Sequence, residues 1–129
     1  MKYLAVGLGG MVGSVLRYFV GNITLNLMNV PIGTFLVNLI GSLLLGLLTG
    51  LTTQTNKISP IITVCIGTGM IGSFTTFSTF STEIVMLFQN EHYFLALIYV
   101  SSSILLGLLL AFYGYYLGAK PSSNRGVRS

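Results

Sequence analysis

The sequence predicts an all-α integral membrane protein with four transmembrane helices. Two observations carry that prediction. Of 129 residues, 53 % are hydrophobic and only 6 % are charged, whereas an ordinary soluble domain carries about 25 % charged residues. The charged residues are also few enough to name: Lys2, Arg17, Lys57, Glu83, Glu91, Lys120, Arg125 and Arg128. They leave uncharged runs of 14, 39, 25 and 28 residues ending at Arg17, Lys57, Glu83 and Lys120. A membrane helix needs about 20 predominantly apolar residues, so such runs are spans rather than buried core helices.

The elements follow in order. The first helix is expected near Tyr3–Thr24. Arg17 interrupts its apolar run and no clear cleavage site follows, so it reads as a mature span and not a signal peptide. The long second run contains Asn22, Asn26, Asn29 and Pro31, a polar turn that divides it. The second helix is then expected near Gly33–Thr53. A second turn falls at Lys57 to Pro60, and Pro60 suits the first position of the third helix, Pro60–Phe88. Gln89 to His92 makes a third turn before the fourth helix, Tyr93–Ala119. Residues 1–119 form one transmembrane unit, and 120–129 form a polar tail expected to be disordered.

Composition also excludes functions. A disordered chain would be polar and charged. One cysteine, Cys65, allows no intrachain disulfide and no cysteine metal cluster. The net charge of +4 comes from scattered cations, so nucleic acid has no basic stripe to bind. No nucleophile–base constellation points to an enzyme. His92 has no partner ligand for a metal.

Small residues recur every four positions: Ala5, Gly9 and Gly13, with Gly21 further along the same row; Ser42, Gly46 and Gly50; Ser103, Gly107 and Ala111. Each row lies on one helix face and permits close helix contact in lipid. Packing within one chain is the simpler reading, and a partner chain is the other.

The densest polar stretch lies inside the third span. From Thr75 to Thr82 every residue is Ser, Thr or Phe, and Thr76-Phe77-Ser78 is repeated at once as Thr79-Phe80-Ser81. One or two hydroxyls could bond back to their own helix. So many, preceded by Gly67, Gly69 and Gly72, predict an interrupted helix lining something polar, since irregular backbone at membrane depth must be buried or face a cavity. Glu83 is the only acid within a span and falls near its end. A proton-coupled pump would carry deep titratable groups. What the spans offer is hydroxyls, which can turn their protons toward an anion, the electropositive ring edges of Phe77 and Phe80, the Asn38 amide, Tyr99 and Ser103 on one face of the fourth helix, and Arg17. Donors without acids read as an anion path. Each has a plainer alternative: packing for the phenylalanines, helix–helix bonding for Asn38, snorkelling for Arg17.

Three blocks resemble the small fluoride channels of the Fluc or CrcB family: Gly9-Gly10-Met-Val-Gly13-Ser-Val-Leu-Arg17-Tyr18, Pro31-Ile-Gly33-Thr34-Phe-Leu-Val-Asn38-Leu-Ile-Gly41, and Gly72-Ser-Phe-Thr-Thr-Phe77-Ser-Thr-Phe80-Ser-Thr-Glu83. The resemblance spans residues 2 to about 118. It implies a third helix broken in mid-membrane and an antiparallel, dual-topology homodimer in a prokaryotic cell membrane. Two pores at the dimer interface would export fluoride passively. Phe77 and Phe80 match the pore-lining aromatic pair, Asn38 the polar pore residue, and Ser78 and Thr79 the hydroxyl track. Arg17 matches the vestibule arginine and Glu83 the acid at the track's far end. Tyr99 and Ser103 match less specific positions on the fourth helix. Gly72 and Thr75 match positions whose backbone carbonyls, from both chains, hold a structural sodium ion. The rival readings are a small multidrug or metabolite exporter and a proton-coupled anion transporter. Charge sidedness points the other way from dual topology: Lys2, Lys57, Lys120, Arg125 and Arg128 fall on one side, which predicts a single orientation with cytoplasmic termini.

Overall fold

A computed structural model describes residues 1–23, 30–54 and 58–121. The expected turn residues Asn26 and Asn29, Lys57, and the tail beyond residue 121 lie outside the described residues. Among the described residues, four helices are long and apolar enough to cross a membrane, Lys2–Gly21, Ile32–Gln54, Pro60–Gln89 and Tyr93–Ala119. The expected end of the first, Thr24, lies outside the described residues; its start and the ends of the second and third fall within one residue of the expected ones, and the fourth coincides.

In detail the chain forms α1 (Lys2–Ile23), α2 (Ile32–Gln54) and α3 (Pro60–Val64), then a π-helical segment (Cys65–Ile71), α4 (Gly72–Phe74), α5 (Phe77–Gln89) and α6 (Tyr93–Ala119). The third span thus departs from an α-helix twice. The break falls at the start of the Ser, Thr and Phe stretch, where the sequence predicts an interrupted helix. Gly67 and Gly69 sit in the π-helical segment, and the break follows at Thr75 and Thr76, both extended (ψ 156° and 123°). Thr76 caps α5, its hydroxyl accepting the Thr79 N–H at 3.2 Å, which is the usual work of a threonine before a helix.

Small residues set the packing. α2 and α6 run parallel and in close contact: a Cβ at Gly46 would strike the Ala111 backbone, and one at Gly50 the backbone of Tyr115 and Gly118. Gly114 and Gly118 receive the Leu43 and Leu47 carbonyls in return. α1 packs likewise on the π-helical segment, with Gly9 and Gly13 against the Cys65 and Met70 carbonyls and Gly69 against that of Val6. The small-residue rows therefore serve packing within the chain, except that Gly21 meets nothing within 4 Å at its Cβ position. The buried apolar side chains are Val37, Ile71, Phe74, Leu87, Ala96 and Tyr99; Leu87, Ala96 and Tyr99 form one cluster, with Phe35, Phe80, Ile84 and Leu95 packed against it. Most large apolar side chains elsewhere are exposed, as a chain that faces lipid requires.

Candidate ion pathway

The site is built around the broken span. Asn38, in α2, faces Thr76 and forms a two-bond pair with its backbone. The Thr76 N–H donates to Asn38 Oδ1 at 2.8 Å, and Asn38 Nδ2 donates to the Thr76 carbonyl at 3.0 Å. One turn on, Gly41 has no room for a Cβ because the Thr75 methyl occupies that space. Two extended residues in the middle of a span need partners for their backbone groups: α2 supplies those of Thr76 through the Asn38 amide and makes room for the Thr75 side chain at Gly41.

The pairing changes the Gly72 carbonyl. In a continuous helix it would accept the Thr76 N–H, which here goes to Asn38. It accepts instead a long bond, 3.4 Å, from the Thr75 hydroxyl, while the Thr75 N–H and hydroxyl both reach the Ile71 carbonyl, at 3.0 and 3.1 Å. A cavity of about 320 Å³ opens here, lined by Asn38, Gly41, Ser42, Gly72, Thr75 and Phe77 among others.

Beyond the break, α5 carries the hydroxyls. Thr76, Ser78 and Thr79 form a cluster, with Thr76 Oγ1 at 3.2 Å from each of the other two hydroxyl oxygens. Phe77 is 80 % exposed. The Phe80 ring lies 6.1 Å from it and 5.1 Å from Tyr99. The two phenylalanines share a helix side, but Phe80 is packed and Phe77 projects from the chain. Ser78 and Thr79 are exposed.

Glu83 is held by neutral donors. Thr34 donates to Oε1 at 2.6 Å and Tyr99 to Oε2 at 2.8 Å. A second cavity, about 340 Å³, joins this carboxylate to Arg17, Thr34, Thr76 and Thr79. Thr76 thus lines both cavities. The Tyr99 hydroxyl is committed to Glu83, and its ring packs between Phe80 and Phe35. Ser103 donates to the Tyr99 carbonyl in its own helix at 2.6 Å and lines neither cavity.

The structure therefore gathers Asn38, Gly72, Thr75 and Phe77 about one cavity and Arg17, Thr79 and Glu83 about the other. It sets Phe80 and Tyr99 against each other and leaves Ser103 apart. Thr34 and Thr76 are the residues that sequence reasoning did not single out as site residues. A hydroxyl directly after Pro31-Ile-Gly33, at the start of a span, was the available signal for Thr34. The position of Thr76 just before a long hydroxyl-rich run was the signal for a cap.

Comparison with known proteins identifies the family. The family model described as "CrcB-like protein, Camphor Resistance (CrcB)" matches residues 4–115. The chain is 45 % identical over 122 residues to the fluoride-specific ion channel FluC 2 of Staphylococcus saprophyticus, covering 95 % of this chain and 100 % of that one. It is 44 % identical over 119 residues to the fluoride-specific ion channel FluC 1 of Bacillus cereus, covering 90 % and 86 %. It is also 44 % identical over 114 residues to the fluoride-specific ion channel FluC of Oceanobacillus iheyensis, covering 88 % of each. With four apolar spans, a family match over most of its length and relatives at this identity, the chain belongs to the CrcB-like family of membrane proteins.

Proposed function

We propose that this protein is a fluoride-specific channel of the bacterial cell membrane. It lets fluoride leave the cell passively after entry as the neutral acid. The observation that carries the reading is the exposed run Phe77-Ser78-Thr79 on α5, set between a cavity at the break and a cavity that holds Arg17 and Glu83. Hydroxyls and a ring edge that project from a single chain at mid-span need a covering that is neither plain lipid nor this chain. A second copy supplies it, and the working unit in this reading is an antiparallel homodimer with two pores at its interface.

The chemistry suits fluoride. The ion is small and strongly hydrated, so it leaves water only where several donors replace the shell. It must also leave again, which favours weak, multiple donors over a trapping cation. Arg17 gathers anions at the mouth, Ser78 and Thr79 offer turning hydroxyl protons, and the edges of Phe77 and Phe80 offer positive potential without a formal charge. Asn38 stands beside this route, with one N–H given to Thr76.

Sodium fits the break in this reading. The Gly72 carbonyl has lost its helical donor, and neutral carbonyl oxygens suit a hard cation. Gly72 and Thr75 from each chain would hold it, and when bound it would supply a fixed positive charge that offsets the freed carbonyls.

The test is passive flux from liposomes loaded with potassium fluoride, with valinomycin added and a fluoride electrode outside. A parallel run uses potassium chloride and a chloride electrode. Fast fluoride release with negligible chloride release is expected. Release of neither ion from well-folded protein would overturn the reading.

A further inference from the structure

Asn38 has a second use that follows from what Thr76 has given up. An amide in a span is expected to serve either as a pore donor or as a link between helices. Here both ends of the amide are engaged by one backbone unit, at 2.8 and 3.0 Å. Thr76 is buried, 8 % exposed as a whole residue. Thr76 N–H is also the one donor that would close an α-helical bond onto the Gly72 carbonyl. An amide oxygen that captures it keeps the break open and leaves the Gly72 carbonyl with only the long, 3.4 Å bond from the Thr75 hydroxyl. Gly41 supports the same arrangement independently, because the Thr75 methyl sits where any side chain at 41 would be. The face of α2 that carries Asn38 and Gly41 is thus a receptor for the two extended residues.

We infer that Asn38 is a positioning residue for a cation at the break: by taking the Thr76 N–H it releases the Gly72 carbonyl to bind sodium. The inference rests on the sodium reading above and deepens it. It assigns Asn38 to the cation through Thr76, rather than to fluoride through its own N–H alone. Removing the amide returns the Thr76 N–H to Gly72, and the carbonyl closes to the ion whatever happens to the pore.

The experiment reads the ion without reading flux. The full-length protein is purified in detergent, and its thermal unfolding is followed by circular dichroism in sodium chloride and in potassium chloride at equal ionic strength. A cation that binds only the folded state raises its midpoint. Wild type is expected to unfold at higher temperature in sodium than in potassium. Asn38→Ala is expected to lose that difference while still folding in potassium. Where Asn38→Ala fails to fold, Asn38→Ser, too short to span both bonds, carries the same expectation. Asn38→Asp, which keeps an acceptor for the Thr76 N–H, is expected to retain the difference. A sodium shift that survives in Asn38→Ala or Asn38→Ser overturns the assignment of Asn38 alone. No sodium shift in wild type overturns the cation reading on which it rests. A shift lost in Asn38→Asp as well overturns the role of the captured N–H.

Discussion

The Tyr99 hydroxyl on α6 donates to the Glu83 carboxylate on α5 at 2.8 Å, and this bond ties the broken span to the helix beside it. Thr34 closes the other side of the carboxylate at 2.6 Å. Hydrogen bonds to a charged group are worth about 1.5–3 kcal/mol. Tyr99→Phe keeps the ring between Phe35 and Phe80 and removes only the donor. It is expected to lower stability by about that amount and to reduce fluoride flux. Thr34→Val is expected to do the same. Because both donors serve one carboxylate, the effect of the double variant should differ from the sum of the two. Denaturation of the three variants in detergent checks this, and strict additivity would count against a shared carboxylate.

The two phenylalanines are expected to part company in stability while agreeing in flux. Phe80 packs on Tyr99 at 5.1 Å, whereas Phe77 is 80 % exposed in the chain. Phe80→Ile loses an aromatic pair worth about 0.5–1.5 kcal/mol. Phe77→Ile in the isolated chain should stay within about 0.5 kcal/mol of wild type. Both should cut fluoride flux sharply, because the bulk remains and the electropositive edge does not. Undiminished flux in either variant removes that ring from the pathway.

Gly13 is expected to tolerate no side chain, because the Met70 carbonyl stands where a Cβ would go. Gly13→Ala should cost about 1–3 kcal/mol through overpacking. Gly7, whose Cβ position meets nothing within 4 Å, provides the control, and Gly7→Ala should gain or lose no more than about 1 kcal/mol. Equal effects at the two positions would show that the close approach of α1 to the π-helical segment does not govern stability.

Orientation is testable in cells. Dual topology expects a cysteine placed in the tail, in a Cys65→Ser background, to react with impermeant reagent from both faces of the membrane. The basic residues near the termini favour one face. Labelling from one face alone would remove the antiparallel dimer from the proposal.

Much of the molecule was legible in the residues. The four spans were written in the charge gaps, because a charge in lipid is costly enough to be avoided wherever a helix crosses. The interruption of the third span was legible in kind, since hydroxyls and glycines collect where a helix cannot run undisturbed. Its place was legible to within the hydroxyl-rich stretch, whereas the π-helical segment that carries Gly67 and Gly69 and the exact pair of extended threonines were not. Which threonines are extended depends on where α2 offers an amide and a gap, and α2 is far away in the chain.

The sequence by itself determined that this is a four-span helical membrane protein with a hydroxyl and phenylalanine run at its centre, because hydropathy and residue chemistry are local properties. Only the tertiary structure decided what those groups are bonded to. It set Asn38 against the Thr76 backbone, Tyr99 and Thr34 against Glu83, and Ser103 against its own helix. A donor's role depends on the acceptor nearest to it, and in a helical bundle that acceptor comes from a distant segment brought close by glycine-to-backbone packing.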